Sequence, residues 1–187
     1  MPVFVKAHIA GYQQGDSTRA ALLLLIQTAT RSGEIRGATW DEFDLKAGIW
    51  TIPGERMKAK VPHRVPLSAP ALALVKTLKQ QKQHETLVFP SPREKVLSDM
   101  TLAALLRRVK AQSDTPGRVA TAHGFRSSFR DWASEHGYAL DLAEQALAHT
   151  VANKVEAAYH RTDLLEQRRP MMEAWAAHVC GGQGHQQ

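Results

Sequence analysis

The chain has 187 residues, 43% of them apolar and 22% charged, with a formal charge of +6 and an isoelectric point of about 9.7. That length supports one domain with a sizeable core, the composition excludes general disorder, and no apolar run nears the roughly 18 residues of a membrane span. The lone cysteine, Cys180, excludes an internal disulfide and suits a reducing cytoplasm, while the basic balance favours a polyanion such as nucleic acid.

Residues 1–16 read as an extended lead-in: Met1 to His8 lacks the features of a secretory signal, and nothing up to Gly15 is periodic. A helix is predicted over Ser17 to Ala29, capped by Ser17, with Leu22, Leu25, Ile26 and Ala29 at i, i+3, i+4 and i+7. Ser32 is positioned to cap a short second helix from Gly33 to Ala38, with Glu34 in its first turn. The character then turns strand-like. Ile49–Ile52 is β-rich and closed by Pro53-Gly54, and His63–Leu67 alternates. Between them Glu55–Lys60 is too polar for a core, which predicts a small antiparallel sheet with a basic hairpin and a further strand near Trp40–Leu45. Pro53, Pro62 and Pro66 restrict these strands to edges or ends.

Helical pattern returns at Ala69, with Ala71, Leu74, Val75 and Leu78 on one face and Lys76, Lys79 and Lys82 on the other. Leu87-Val88-Phe89 reads as a short buried run. Ser98 or Asp99 caps a helix bearing Leu102, Leu105, Leu106 and Val109, and Gln112–Thr121 is a polar loop. Three helices are expected at 124–136, 140–148 and 154–160, and a last one at 164–179 that Pro170 kinks or splits. The expected division is the lead-in 1–16, one α+β, mainly helical domain over 17–180, and a disordered tail 181–187.

The chemistry concentrates between His123 and Arg161. His123-Gly124-Phe125-Arg126, Leu147-Ala148-His149 and Ala158-Tyr159-His160-Arg161 bring imidazoles, guanidinium and a phenol into forty residues. On a helix His123 and Arg126 share a face. Such groups hold a phosphate, donate hydrogen bonds to it and attack it with an oxygen. Further upstream stand Thr28-Ala29-Thr30-Arg31-Ser32-Gly33-Glu34, Arg56-Met57-Lys58, Val65-Pro66-Leu67-Ser68 and Val88-Phe89-Pro90-Ser91.

Taken in this order, the motifs resemble the catalytic domain of a tyrosine recombinase of the phage integrase family, prophage-integrase branch. The resemblance covers Ala20 to Val179 and implies the fold of that domain, with its small antiparallel sheet to one side. It assigns Arg31 and Arg126 to a clamp on the non-bridging phosphate oxygens, which suits a bidentate, permanently charged group. It makes Tyr159 the nucleophile, His123 the assistant in its proton transfer, His149 a hydrogen-bond donor to phosphate, and hairpin Lys58 the acid for the departing 5′-oxygen. Lys60 is the rival for that last role. Glu34 anchors the fold beside Arg31. His8, His63, His84, His136, His160 and His178 receive no role. Ala29 and Ala148 stand where relatives commonly carry glycine.

The implied activity is site-specific integration or excision of a prophage or mobile element through a 3′-phosphotyrosine, with neither metal, cofactor nor ATP. Double-stranded DNA, self-association as a tetramer and accessory DNA-bending or directionality factors are the implied partners, in the bacterial cytoplasm. The lead-in then represents the linker from a preceding DNA-binding domain. Met171, Met172, Trp175 and Val179 suggest a segment that docks on a neighbouring protomer or packs on its own domain. A non-catalytic DNA-binding module, a type IB topoisomerase-like relaxing enzyme and a metal-free histidine phosphohydrolase are the rival readings.

Overall fold

Helix α2, Ser17–Thr28, runs through the middle of the computed structural model because its sequence is apolar all round. Leu22, Leu24, Leu25 and Ile26 have no exposed surface, and α2 packs against most of the helices named below. The structure describes residues 1–149 and 163–181. In chain order the regular elements are α1 (Pro2–His8), α2, α3 (Ser32–Arg36), β1 (Phe43–Asp44), β2 (Ile49–Ile52), β3 (His63–Pro66), α4 (Ala69–Gln81), α5 (Thr101–Arg108), α6 (Ala122–Glu135), α7 (Leu140–Ala146) and α8 (Leu165–Cys180). Single 3-10 turns occupy Trp40–Glu42 and Gly54–Arg56. The predicted α+β, mainly helical class is therefore the observed one.

The three strands form one antiparallel sheet in the order β1-β2-β3, with Trp50 opposite both Phe43 and Val65, and Ile52 opposite His63. Prolines sit where a missing N–H does least harm: Pro53 just beyond the central strand and Pro66 at the end of an edge strand. Phe43 stacks on Trp50 at 5.1 Å between ring centroids, and Trp50 Nε1 donates to the buried Glu42 carboxylate at 2.8 Å. The strand expected near Trp40–Leu45 is shortened to two residues because the 3-10 turn takes the first half of that stretch.

The lead-in requires correction. Residues 2–8 are helical rather than extended: Pro2 occupies the first turn, where no N–H partner is lost, and Val5 and Ile9, four apart, are buried in the core. Phe4 adds a stacked contact with Phe125 at 5.9 Å. One i,i+4 pair is too little periodicity to reveal a seven-residue helix in sequence. Two caps also shift by a residue. Asp16, not Ser17, caps α2 by accepting from Arg19 N at 3.0 Å, and Arg31 rather than Ser32 stands at the cap of α3.

Pro170 does not split the last helix. Its ring removes one hydrogen bond near the start of α8, while Met171, Met172, Trp175 and Val179 lie buried along the remainder. Trp175 Nε1 donates to Ile26 O at 2.7 Å, which ties α8 to the central helix. These four side chains pack on their own domain in this chain, the second of the two readings of the segment. Of the tail, Gly181 is the left-handed cap of α8, and 182–187 lie outside the described residues. Among the described residues no helix is long and apolar enough to cross a membrane.

Candidate active site

The site grows out of two helix ends that finish alike. Helix α2 stops at Ala29, whose φ of 52° is left-handed, and Thr28 and Thr30 hydroxyls meet at 2.9 Å across the bend. The chain leaves in the direction that makes Arg31 the cap of α3. Glu34 then grips Arg31 twice: one carboxylate oxygen accepts from Arg31 N at 2.7 Å and the other from Nη1 at 2.9 Å. Glu34 is buried and anchors Arg31, as expected.

Helix α7 ends in the same way at Ala148, φ 48°. The Ala148 N–H bonds Gln145 O at 3.1 Å and the His149 N–H bonds Glu144 O at 3.0 Å, the paired pattern of a Schellman cap. This turn folds residues 147–149 back and presents consecutive carbonyls to two arginines. Arg126 Nη2 donates to Leu147 O at 2.6 Å, and Arg31 Nη2 donates to Ala148 O at 3.2 Å. Arg126 also donates through Nη1 to Ala29 O, so one guanidinium joins both left-handed turns.

The two arginines differ in access. Arg126, on the buried face of α6, is 3% exposed, whereas the Arg31 side chain is 29% exposed. Burial, reinforced by the nearby charge of Arg31, lowers the Arg126 pKa to about 10, opposed by Glu34 and Glu144. It therefore stays cationic at neutral pH. Its Nε is buried without a hydrogen-bond partner among the described residues.

His149 completes the cluster. Its Nε2 lies 3.2 Å from Arg126 Nη2, and its Nδ1 lies 2.6 Å from Glu144 Oε2. The other Glu144 oxygen is 3.1 Å from Arg130 Nε, an ion pair without hydrogen-bond alignment. Two guanidiniums and an imidazole thus converge on one backbone turn, flanked by two carboxylates. Such a cluster offers charge and directed donors to a bound anion.

Of the other sequence-predicted residues, His123 and Lys58 are described, and neither makes a hydrogen bond to this cluster. His123 is exposed on the first turn of α6, one turn before Arg126, and makes no hydrogen bond among the described residues. Lys58 is exposed at the tip of the β2–β3 connection, in a turn closed by Lys60 N to Met57 O at 3.1 Å. Its rival Lys60 adopts φ 57° and reaches back to Glu55 O at 3.4 Å. Tyr159, with His160 and Arg161 and the helix expected at 154–160, lies outside the described residues.

Several residues around the site escaped the sequence reading. Arg56 bonds the Glu42 carboxylate and Glu34 O, fastening the hairpin base to α3. Arg168 of α8 is almost fully buried and donates to Arg64 O at 2.8 Å, and Arg64 makes a two-pronged pair with Asp163 at 2.7 and 2.8 Å. His63, also buried, has its pKa lowered to about 4, first by burial and next by Arg168. Only Arg56 had a signal, as part of Arg56-Met57-Lys58; the others depend on contacts between distant segments. Concavities of about 540 and 490 Å³ lie elsewhere, one beside Gly11–Arg19 and one beneath Phe4 and Phe125. Convergence of charge, rather than enclosed volume, marks the candidate site.

Known proteins resemble this chain in sequence and in fold. The sequence profile of the phage integrase family matches residues 7–165. Prophage integrase IntA of Escherichia coli (strain K12) is 40% identical over 162 residues, which are 86% of this chain and 38% of the relative. The integrase of mycobacterium phage Brujita superposes with a TM-score of 0.66 at 21% identity, covering 92% of this chain and 55% of that one. A lambda integrase dimer bound to a COC′ core site gives a TM-score of 0.56 at 22% identity, covering 86% and 57%. The chain spans less than half the length of the curated relatives it matches.

Proposed function

The chain belongs to the phage integrase family, and from that premise we propose that it cuts and rejoins DNA strands at specific sites, integrating or excising a prophage or mobile element. The observation that carries the proposal is the meeting of Arg31, Arg126 and His149 around the Leu147–Ala148 carbonyls. A phosphodiester gains negative charge on its non-bridging oxygens as phosphorus becomes five-coordinate, and fixed guanidiniums aimed at those oxygens favour that state over the ground state.

In the proposed reaction the Tyr159 Oη attacks phosphorus and gives its proton to His123. The P–O5′ bond breaks, Lys58 protonates the departing oxygen, and a 3′-phosphotyrosyl bond stores the ester. A second 5′-hydroxyl then attacks phosphorus and Tyr159 leaves as the phenol. A phenol with a pKa near 10 requires such help at neutral pH. The bond count is conserved throughout, so the chemistry balances without ATP, and the side-chain cations take the part that metal ions play in other phosphoryl transfers. Removing Arg126 is expected to slow cleavage by about a hundredfold or more, the usual loss for a preorganised anion donor.

Double-stranded DNA is the proposed partner, supported by the basic charge and by the fold shared with lambda integrase, solved bound to a COC′ core site. Assembly as a tetramer on DNA, accessory directionality factors and a bacterial cytoplasmic setting complete the proposal. The test is covalent trapping. With a nicked suicide duplex carrying the cognate site, the parent forms a protein–DNA adduct resistant to denaturant, and Tyr159→Phe forms none. An adduct from the phenylalanine variant overturns the assignment of the nucleophile.

A further inference from the structure

We propose that Glu144 is a positioning residue for His149: its carboxylate fixes the imidazole with Nδ1 protonated and supplies the negative charge that lets Nε2 take a second proton when an anion arrives. This deepens the phosphodiester reading above and rests on it for the second half.

The tautomer follows from the donors. Arg126 has N–H groups and no acceptor, so the His149 Nε2 that faces it at 3.2 Å presents a lone pair. In a neutral ring the proton is then on Nδ1, which donates to Glu144 Oε2 at 2.6 Å. That contact exists because the Schellman turn at Ala148 carries His149 back over the last turn of α7. A spacing of five does not align side chains on a straight helix, which is why the pair is invisible to helical periodicity. Arg130, projecting from α6, holds the other Glu144 oxygen at 3.1 Å and keeps the carboxylate turned toward the ring.

The resting geometry cannot serve a phosphate unchanged. An Nε2 lone pair repels an anionic oxygen, and an Nε2–H attracts it. His149 contacts Arg126 of α6 through Nε2 and Glu144 of α7 through Nδ1. Arg130 of α6 pairs with the other Glu144 oxygen, and Arg31, itself paired with Glu34, donates to the adjacent Ala148 carbonyl. The three guanidiniums oppose a cationic ring, and Glu144 is the carboxylate in direct contact with it that favours one. When a phosphate oxygen inserts between Arg126 and Nε2, solvent supplies one proton to Nε2 and the ring becomes an imidazolium between two anions. No bond other than N–H is made. Glu144 thereby acts through His149 and does not touch substrate.

Two readouts separate positioning from simple structural support. Nitrogen NMR of the 187-residue chain labelled in histidine, with His149 identified by its loss in His149→Asn, is expected to show Nδ1 protonated and Nε2 bare at pH 8. Glu144→Ala shifts the proton to Nε2, whereas Glu144→Gln keeps it on Nδ1, because the amide oxygen still accepts. In the suicide-duplex assay both substitutions lower the rate of adduct formation by about tenfold or more, a common loss for a partner that orients a functional imidazole. Glu144→Asp, which keeps the charge, recovers part of that rate. Nε2 protonation in the parent, an unmoved tautomer in a folded Glu144→Ala, or full activity in Glu144→Gln each overturns the proposal. If Glu144→Ala does not fold, Glu144→Gln decides through the rate. Should the parent itself form no adduct, the recombinase reading fails while the NMR arm still decides whether Glu144 sets the tautomer.

Discussion

Two alanines and one histidine show how much single residues carry here. Ala29 and Ala148 hold left-handed φ values of 52° and 48°, a conformation costing an L-residue roughly 1–2 kcal/mol. Their carbonyls or immediate neighbours receive the two arginines, so the strain lies at the turns that shape the site. Glycine removes that strain but loses more chain entropy on folding, and Ala148→Gly is expected to raise stability by about 0.5–1 kcal/mol in urea denaturation. A loss of stability would mean that the methyl group packs better than its backbone angle suggests. His63 supplies the pH-sensitive counterpart. Burial, with Arg168 nearby, places its folded pKa at about 4, below the ordinary value of 6.5. The unfolded chain therefore binds a proton that the native one refuses. Its contribution is intact above about pH 6.5 and is lost progressively as pH falls toward 4. Between pH 7.5 and pH 5 the parent should lose about 2 kcal/mol more than His63→Gln, measured by denaturant titration at both values. Equal losses would sink that account of His63.

At the scale of elements, the helices that matter most are those whose role depends on what they meet. Helix α1 has seven residues, too few to persist alone in water, and it is held by burial of Val5 and Ile9 together with Phe4 on Phe125. Ile9→Ala should destabilise the chain by about 3 kcal/mol, the range for a fully buried large-to-small change. An unchanged urea midpoint would show that α1 is dispensable. Helix α8 survives Pro170 for the same reason, since its apolar face is spent on α2 and the sheet. The β2–β3 connection is a third case. Its base is fixed by Arg56 on Glu42 and Glu34, while its tip with Lys58 is exposed. A rigid root and a free tip suit a lysine proposed to reach a leaving oxygen on a bound duplex.

For the whole molecule the net charge of +6 would govern encounter with the proposed DNA partner. Binding by this chain should be dominated by phosphates, and contact with about four of them weakens affinity roughly a hundredfold between 50 and 200 mM salt. Fluorescence anisotropy across that range reads the slope. A flat dependence would contradict a phosphate-led interface. Among the described residues the site is a surface of converging cations, a form that suits the proposed rod-like polyanion.

Fold class, the core helix at Ala20–Ile26 and the basic hairpin were legible in the sequence. Periodicity and residue chemistry are local properties and survive without coordinates. The identities of Arg31, Arg126 and His149 could likewise be read from their motifs. What only the tertiary structure decided is how those groups are held: the left-handed turns that deliver two carbonyls to two arginines, the Glu144 carboxylate behind His149, Arg56 beneath the hairpin, and the helical start of the chain. Each joins segments by contacts across space or by a backbone reversal, and neither leaves a repeating pattern along the chain.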